Sequence, residues 1–189
     1  MTIRHALFAA SFCVCFAGNS MAETYTIDSK HTFPSFEISH LGFSTQRGRF
    51  DRTSGTIKLD AKNEMGTINV NIDADSIDTG LPELEAKLKE ADFFNIAKFP
   101  TITFNSKKIK FTGENPIAAE GTLTLLGVSK PVLLAIGHFH CGVHPISKRT
   151  VCGADATGLI KRSDFGLTAF LPIIGDEVKI NIQVEAFMN

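Results

Sequence analysis

Apolar and polar residues alternate with a period of two along most of this chain. Ile68, Val70, Ile72 and Ala74 are interleaved with Thr67, Asn69, Asn71 and Asp73. Val178, Ile180, Ile182, Val184 and Ala186 alternate with Lys179, Asn181, Gln183 and Glu185. Ile117, Ala119, Gly121, Leu123 and Leu125 alternate with Ala118, Glu120, Thr122 and Thr124. Successive side chains on an extended strand point to opposite faces, so each segment has one dry face and one wet face. Weaker strands are expected over residues 24–28, 34–41, 45–60, 100–112, 130–141 and 151–160. Gly113-Glu-Asn-Pro116, Leu126-Gly127 and Gly175-Asp176 supply turns between them.

Two segments change phase. Phe36, Ile38 and His40 share one face while Leu41 and Phe43 fall on the other, and Ile102 and Phe104 are out of step with Ile109 and Phe111. A β-bulge in each would return the apolar side to the interior. One segment is helical: Leu81, Leu84, Leu88 and Ala91 form a stripe, and Pro82 suits a first turn. Glu83–Lys87 and Glu85–Lys89 are spaced for i,i+4 pairs, so a helix is expected over residues 82–92, ending near Phe93-Phe94. About eight antiparallel strands and one helix, with no parallel rhythm, point to an all-β up-and-down barrel. A sandwich is the alternative, disfavoured because strands of about 10 residues span roughly 33 Å.

Residues 1–22 read as an address. Arg4 and His5 precede an apolar run from Ala6 to Gly18, and Ser20 and Ala22 place small side chains at the −3 and −1 positions of a secretory cleavage site. The run is too short to span a bilayer, which takes about 20 residues. Cys13 follows Phe12 and Cys15 follows Val14, so neither fits a lipid-attachment site. The expected mature product is one domain, 23–189, without a membrane insertion. Its two cysteines, Cys141 and Cys152, allow one pairing, and export favours their oxidation to a disulfide. The net charge of −1 gives no basic face for nucleic acid.

The chain has 16 Phe against one Tyr and no Trp, so its bulky rings lack polar tips. The expected inward set is Phe36, Ile38, Phe43, Phe50, Ile57, Leu59, Ile68, Val70, Ile72, Phe104, Leu123, Leu125, Ile180 and Ile182. An eight-stranded barrel is either filled by such side chains or holds one small ligand. Sequence leaves both open. A guest here must be mostly hydrocarbon, because an unpaired buried polar group costs about 1–3 kcal/mol, whereas each buried CH₂ gains about 0.8 kcal/mol.

The order and spacing of several short pieces resemble the YceI-like family of periplasmic proteins across essentially all of 23–189. They are Tyr25-Thr-Ile-Asp28 with His31, His40-Leu-Gly42 with Gly48-Arg-Phe50, Ser76-Ile-Asp-Thr-Gly80, and Asp92-Phe-Phe94. Phe99-Pro100 with Phe104-Asn-Ser106, Gly121-Thr-Leu-Thr124 with Gly127-Val-Ser-Lys-Pro131, Arg162-Ser-Asp-Phe-Gly166 and Gly175-Asp-Glu-Val178 complete the set. The resemblance implies a lipocalin-like extended barrel around a polyisoprenoid chain, with polyprenyl lipids and isoprenoid quinones such as ubiquinone as ligands. It implies a carrier or store with no catalytic residue and no catalytic cofactor. The cysteine pair lies outside the matched pieces.

A lid helix would bring Leu84, Leu88, Phe93 and Phe94 to the ligand, and Phe165 would add a ring at the mouth. His31, His40, Asp78 and Arg162 are the head-group candidates. Each also has a structural reading: Asp78 and Thr79 as helix caps, Arg162 locked to Asp164, the histidines as satisfied hydrogen-bonders. His138, His140, Cys141, His144 and Cys152 fit no standard zinc spacing, so no metal is expected. Val132-Leu-Leu-Ala-Ile136 is apolar on both faces, and its outer face would need cover from the helix, a loop or a second subunit in a homodimer. Gly-x-Ser-x-Gly, P-loop, His-Glu-x-x-His and Cys-x-x-Cys motifs are absent. The rival readings are an enzyme acting on a quinone-like head through His31 and Asp28, and a surface or stress protein with a solid core.

Overall fold

The computed structural model describes residues 22–189, so the expected export signal lies outside it apart from Ala22. Its strands are β1 (Glu23–Ile27), β2 (Phe33–His40), β3 (Ser44–Phe50), β4 (Thr53–Asp60), β5 (Met65–Asp73) and β6 (Ile77–Asp78). After helix α1 (Pro82–Leu88) come β7 (Thr101–Thr112), β8 (Asn115–Leu125), β9 (Val128–Val143), β10 (Thr150–Lys161) and β11 (Ile174–Met188). The ring β1-β4-β5-β7-β8-β9-β10-β11 closes on itself through antiparallel pairing of β11 with β1. Among the described residues it is an eight-stranded antiparallel barrel with one α-helix.

The three remaining strands prolong the barrel. β11 is long enough to pair β1 at its end (Ala186↔Ile27) and β2 nearer its start (Ile180↔Phe36), so β1 and β2 form one interrupted ribbon. β3 with β4, and β5 with β6, are interrupted in the same way, and β6 pairs only with β3. Polar side chains hold these breaks. Asp28 Oδ1 accepts from Lys30 N at 3.0 Å, and Ser76 Oγ accepts from Arg52 N at 3.0 Å while donating to Asp73 O at 2.7 Å.

Of the two expected bulges, one forms. Between Ser106 and Lys108 the register against β8 shifts, and Ile102, Phe104 and Ile109 all end up buried. Ser106 Oγ stabilises the bulge by donating to Glu120 O at 2.7 Å and accepting from Lys108 N at 3.2 Å. A second shift beside Phe111 turns Ile117 outward, against the expected alternation, and leaves it 44% exposed. At 41–43 there is no bulge. β2 stops at His40, Leu41 takes φ 55°, and Phe43 is 89% exposed rather than inward.

α1 is shorter than expected, spanning seven residues. Beyond it the chain curls: Phe94 N donates to Leu88 O, Asn95 N donates to Glu90 O, and Asn95 adopts φ 45°. This brings Phe93 and Phe94 onto the hydrophobic cluster. Pro82 occupies the first turn as expected, but Leu81 sits at the cap and Asp78 and Thr79 do not cap the helix. Glu85 Oε1 reaches back to accept from Thr79 N at 2.9 Å instead. The expected i,i+4 pairs are replaced by Lys87–Glu90 and Lys89–Asp75, the latter at 2.9 Å. Among the described residues no helix is long and apolar enough to cross a membrane.

The outer face of the doubly apolar β9 segment is left open. Val132 and Leu134 are buried, whereas Leu133 is exposed and α1 lies at the β6 end of the barrel.

Candidate functional site

The barrel interior divides along its axis. Toward the ends of β1, β4, β9 and β11 lies a cavity of about 130 Å³. Its wall is made of small and branched residues: Ala119, Ala154, Ala156, Gly153 and Ala186 between Ile27, Ile57, Leu59, Ile68, Val70, Ile72, Ile109, Leu134, Ile136, Ile182 and Val184. Phe104 and Phe139 are its phenyl rings among the described residues. Phe104 lies across Gly121, where any Cβ would collide with the ring, so the glycine lets the ring lie against the sheet. Tyr25 and Cys152 line the cavity with Thr32, Pro34, Thr53 and Pro116. Cys152 is bonded to its cross-strand neighbour Cys141, with 4.0 Å between their Cα atoms, and so ties β9 to β10 here. Among the described residues no Asp, Glu, Lys, Arg or His lines the space.

The other half is filled. Phe50, Ile77, Ile102, Leu123, Leu125, Phe165 and Leu167 are buried in one cluster, with Phe36, Leu88, Phe93, Phe94 and Ile96 packed on it. The Phe50 ring meets Phe94 edge-on at 5.5 Å between centroids and Phe36 at 6.2 Å. Phe93 stacks on the exposed Phe170 at 6.1 Å. α1 buries no residue of its own and meets this plug through Leu88.

The expected site residues therefore separate into groups. Ile57, Ile72, Phe104 and Ile182 line the cavity. Phe36, Phe50, Leu88, Phe93, Phe94, Leu123, Leu125 and Phe165 build the plug. Ile38 and Leu84 are half-buried in neither, and Phe43 is outside. The small residues of β10 were missed because strand reading ranks large apolar side chains first. The alternation of Cys152, Ala154 and Ala156 was the signal that could have found them.

None of the four head-group candidates reaches the cavity. Arg162 is 5% exposed, and its guanidinium donates to the carbonyls of Gly175 (2.8 Å), Leu167 (2.8 Å) and Ile174 (3.1 Å). Burial holds its pKa down, with Asp176 opposing. The carboxylate that completes this latch is Asp176, not Asp164: it accepts from Ser163 N at 2.9 Å and Ser163 Oγ at 2.8 Å. Asp78 Oδ1 accepts from Gly80 N at 2.9 Å in the turn before α1. His40 is half-buried where β2 ends, opposite Ser44 and Ile174.

His31 and Asp28 do form a pair, at 2.7 Å. Burial pushes the Asp28 carboxyl up, but the bonds from His31 and the Lys30 amide outweigh it and hold it below its ordinary value. The bond to Asp28 raises the His31 pKa. Glu185 is close by, with the three ligand atoms within 4.8 Å of one another. Glu185 falls between the cavity-lining Val184 and Ala186, so the trio is on the outer wall, at the β1–β2 break. Of the expected histidine–cysteine cluster, both sulfurs are consumed by the disulfide, and His144 Nδ1 accepts from Ile146 N and Ser147 N in the β9–β10 turn. A broader trough of about 790 Å³ on the outer wall, beside Lys107, Lys108, Glu120 and Leu133, is open to solvent.

The YceI-like domain model matches residues 25–186. Protein YceI of Salmonella enteritidis is 39% identical over 171 residues, covering 89% of this chain and 88% of the relative. Among solved structures, Burkholderia cenocepacia BcnA superposes with a TM-score of 0.70 at 23% identity, covering 84% of this chain and 98% of BcnA. A polyisoprenoid binding domain from Saccharophagus degradans, implicated in plant cell wall breakdown, does so with a TM-score of 0.63 at 18% identity, covering 87% and 98%.

Proposed function

This chain belongs to the YceI-like family, and from that premise we propose that it binds an isoprenoid lipid inside its barrel and carries or stores it. The observation that carries this reading is the uncharged cavity enclosed by a closed sheet. Apolar surface removed from water there gains roughly 25 cal/mol per Å². The polyisoprenoid-binding relative supports the ligand class. Polyprenyl lipids and isoprenoid quinones, ubiquinone among them, have the required hydrocarbon tail. The reading is of binding rather than turnover, since the Asp28–His31 pair faces away from the cavity.

The cavity sets a length condition. A void of about 150 Å³ takes a benzene ring, so this one holds about one isoprene-sized unit. A longer tail must displace the plug. The plug's outer layer is the segment best suited to move, because α1 buries no residue and Phe93 and Phe94 are carried on the turns that follow it. The tail then runs from the disulfide end, past Phe50, to the α1 end. Export to the periplasm fits the Arg4–Ala22 pattern and the Cys141–Cys152 bond.

The test is organic extraction of the protein purified from its native cells without detergent, followed by mass spectrometry. A prenyl lipid in near-stoichiometric amount is expected. An extract without any prenyl lipid contradicts the reading.

A further inference from the structure

The β2–β3 turn and the loop before β11 meet beside the plug. Leu41 N donates to Ile173 O at 3.2 Å, and Ile174 N donates to Phe170 O at 2.9 Å. Phe170 in turn stacks on Phe93, a ring of the plug. Leu41, Phe43, Phe170 and Ile173 thus belong to one rim, and all four are exposed. Neither loop carries a charge: Asp, Glu, Lys and Arg are missing from residues 38–46 and from residues 165–175. Large apolar side chains gathered at one exposed place mark an interaction site.

Two of these residues also sit where a bulky side chain is least suited. The turn closed by the bond from Phe43 N to His40 O, at 3.0 Å, has φ 55° at Leu41 and 74° at Gly42. A turn with positive φ at both central residues favours Asn-Gly. Leucine stands in the Asn position. Phe170 takes φ 60°. Each residue therefore costs the fold twice, through backbone strain and through apolar exposure, and such strain collects at functional positions.

We propose that this rim docks the protein on a phospholipid bilayer, at the boundary between headgroups and acyl chains. The proposal rests on the lipid-binding reading above and adds the end of the barrel at which lipid is exchanged. Apolar side chains can enter that boundary without a matching partner surface, and a small buried area keeps the contact reversible. A protein partner needs about 800 Å² of complementary surface on each side, more than four side chains on two loops supply. The uncharged loops also lack the groups that steer and register a protein partner. Continuity with the plug through Phe93 lets a tail pass between bilayer and barrel without crossing water.

The experiment sediments wild type, Phe43→Ser, Leu41→Asn and Leu133→Ser with phosphatidylcholine vesicles, with and without phosphatidylglycerol. Leu133 is an exposed position on the barrel wall and serves as the control. Farnesol affinity, thermal midpoint and mass in solution are measured for each protein. Wild type binds neutral vesicles, and neither phosphatidylglycerol nor added salt changes the bound fraction, since no ion pair is made. Phe43→Ser lowers the partition coefficient about tenfold, the worth of burying much of one phenyl ring. Leu41→Asn lowers it about fivefold and melts no lower than wild type, because Asn tolerates the left-handed backbone. Farnesol affinity is unchanged in both, and Leu133→Ser binds vesicles as wild type does. No vesicle binding by wild type, an equal loss in Leu133→Ser, or a wild-type dimer that Leu41→Asn separates into monomers overturns this inference. With farnesol still bound, the lipid-binding reading stands in each of those cases. Failure of wild type to bind farnesol overturns that reading, and the role of the rim in lipid exchange with it.

Discussion

The two halves of the barrel share one continuous wall and differ in what fills it. At the disulfide end, Ala, Gly, Val and Ile leave a cavity of about 130 Å³. At the α1 end, rings from β2, β3 and the segment after α1 close the bore through Phe36, Phe50 and Phe94. Phenylalanine is thus the stopper, and the open space is made by small residues. Covalent support is distributed the other way: the hollow end has the Cys141–Cys152 bond, whereas the filled end relies on packing and on the Arg162 latch.

Truncating the stopper tests this division most severely. Phe50→Ala is expected to cost about 3–5 kcal/mol in urea unfolding. It also extends the cavity toward α1, so short isoprenoids bind more tightly. A loss below 1 kcal/mol would mean that the rings do not support the fold. Arg162→Ala leaves one buried carbonyl, that of Leu167, and two part-buried ones, those of Gly175 and Ile174, without donors, at an expected cost of about 3 kcal/mol. Because the latch is structural, the variant retains its lipid preference once folded; a changed preference would return Arg162 to the binding site. Reducing the disulfide at the hollow end removes the constraint on a loop closed over 11 residues of separation, worth about 2–3 kcal/mol by chain entropy. The thermal midpoint should fall in dithiothreitol, and an unchanged midpoint would show that the cross-link leaves folding unaffected.

The smallest effect concerns the outer wall. The raised His31 pKa stabilises the fold at pH below the unfolded histidine value, and this support is lost as pH rises through the folded one. The lowered Asp28 pKa acts above the unfolded carboxylate value and is lost as pH falls through the folded one. The pair is therefore strongest between the carboxylate range and neutrality. In NMR titration His31 should show a midpoint above an ordinary histidine, dropping in Asp28→Asn with lipid binding unaltered. Altered binding would bring the pair into the site.

Closure of the barrel was legible because period-two alternation leaves one wet face per strand and eight such strands must bury the other. The Ser106 bulge was legible from the phase slip between Phe104 and Ile109. Phe43 was misplaced because a phase change at a strand end looks the same as a bulge, and only the φ 55° at Leu41 distinguishes them. The helix was read too long because Ala91 and Lys89 have good helical propensity, while long-range burial of Phe93 and Phe94 decides where it stops. The cavity itself was illegible: a void depends on volumes summed across strands far apart in sequence, and Ala119, Ala156 and Ala186 meet only after closure.

The most direct measurement uses protein labelled at alanine methyls and titrated with farnesol by NMR. The account predicts the largest shifts at Ala119, Ala154, Ala156 and Ala186, which line the cavity, and little change at the exposed Ala135 on the outer face. Shifts confined to Ala135 and other outer positions, with the four inner methyls unmoved at saturation, would contradict it.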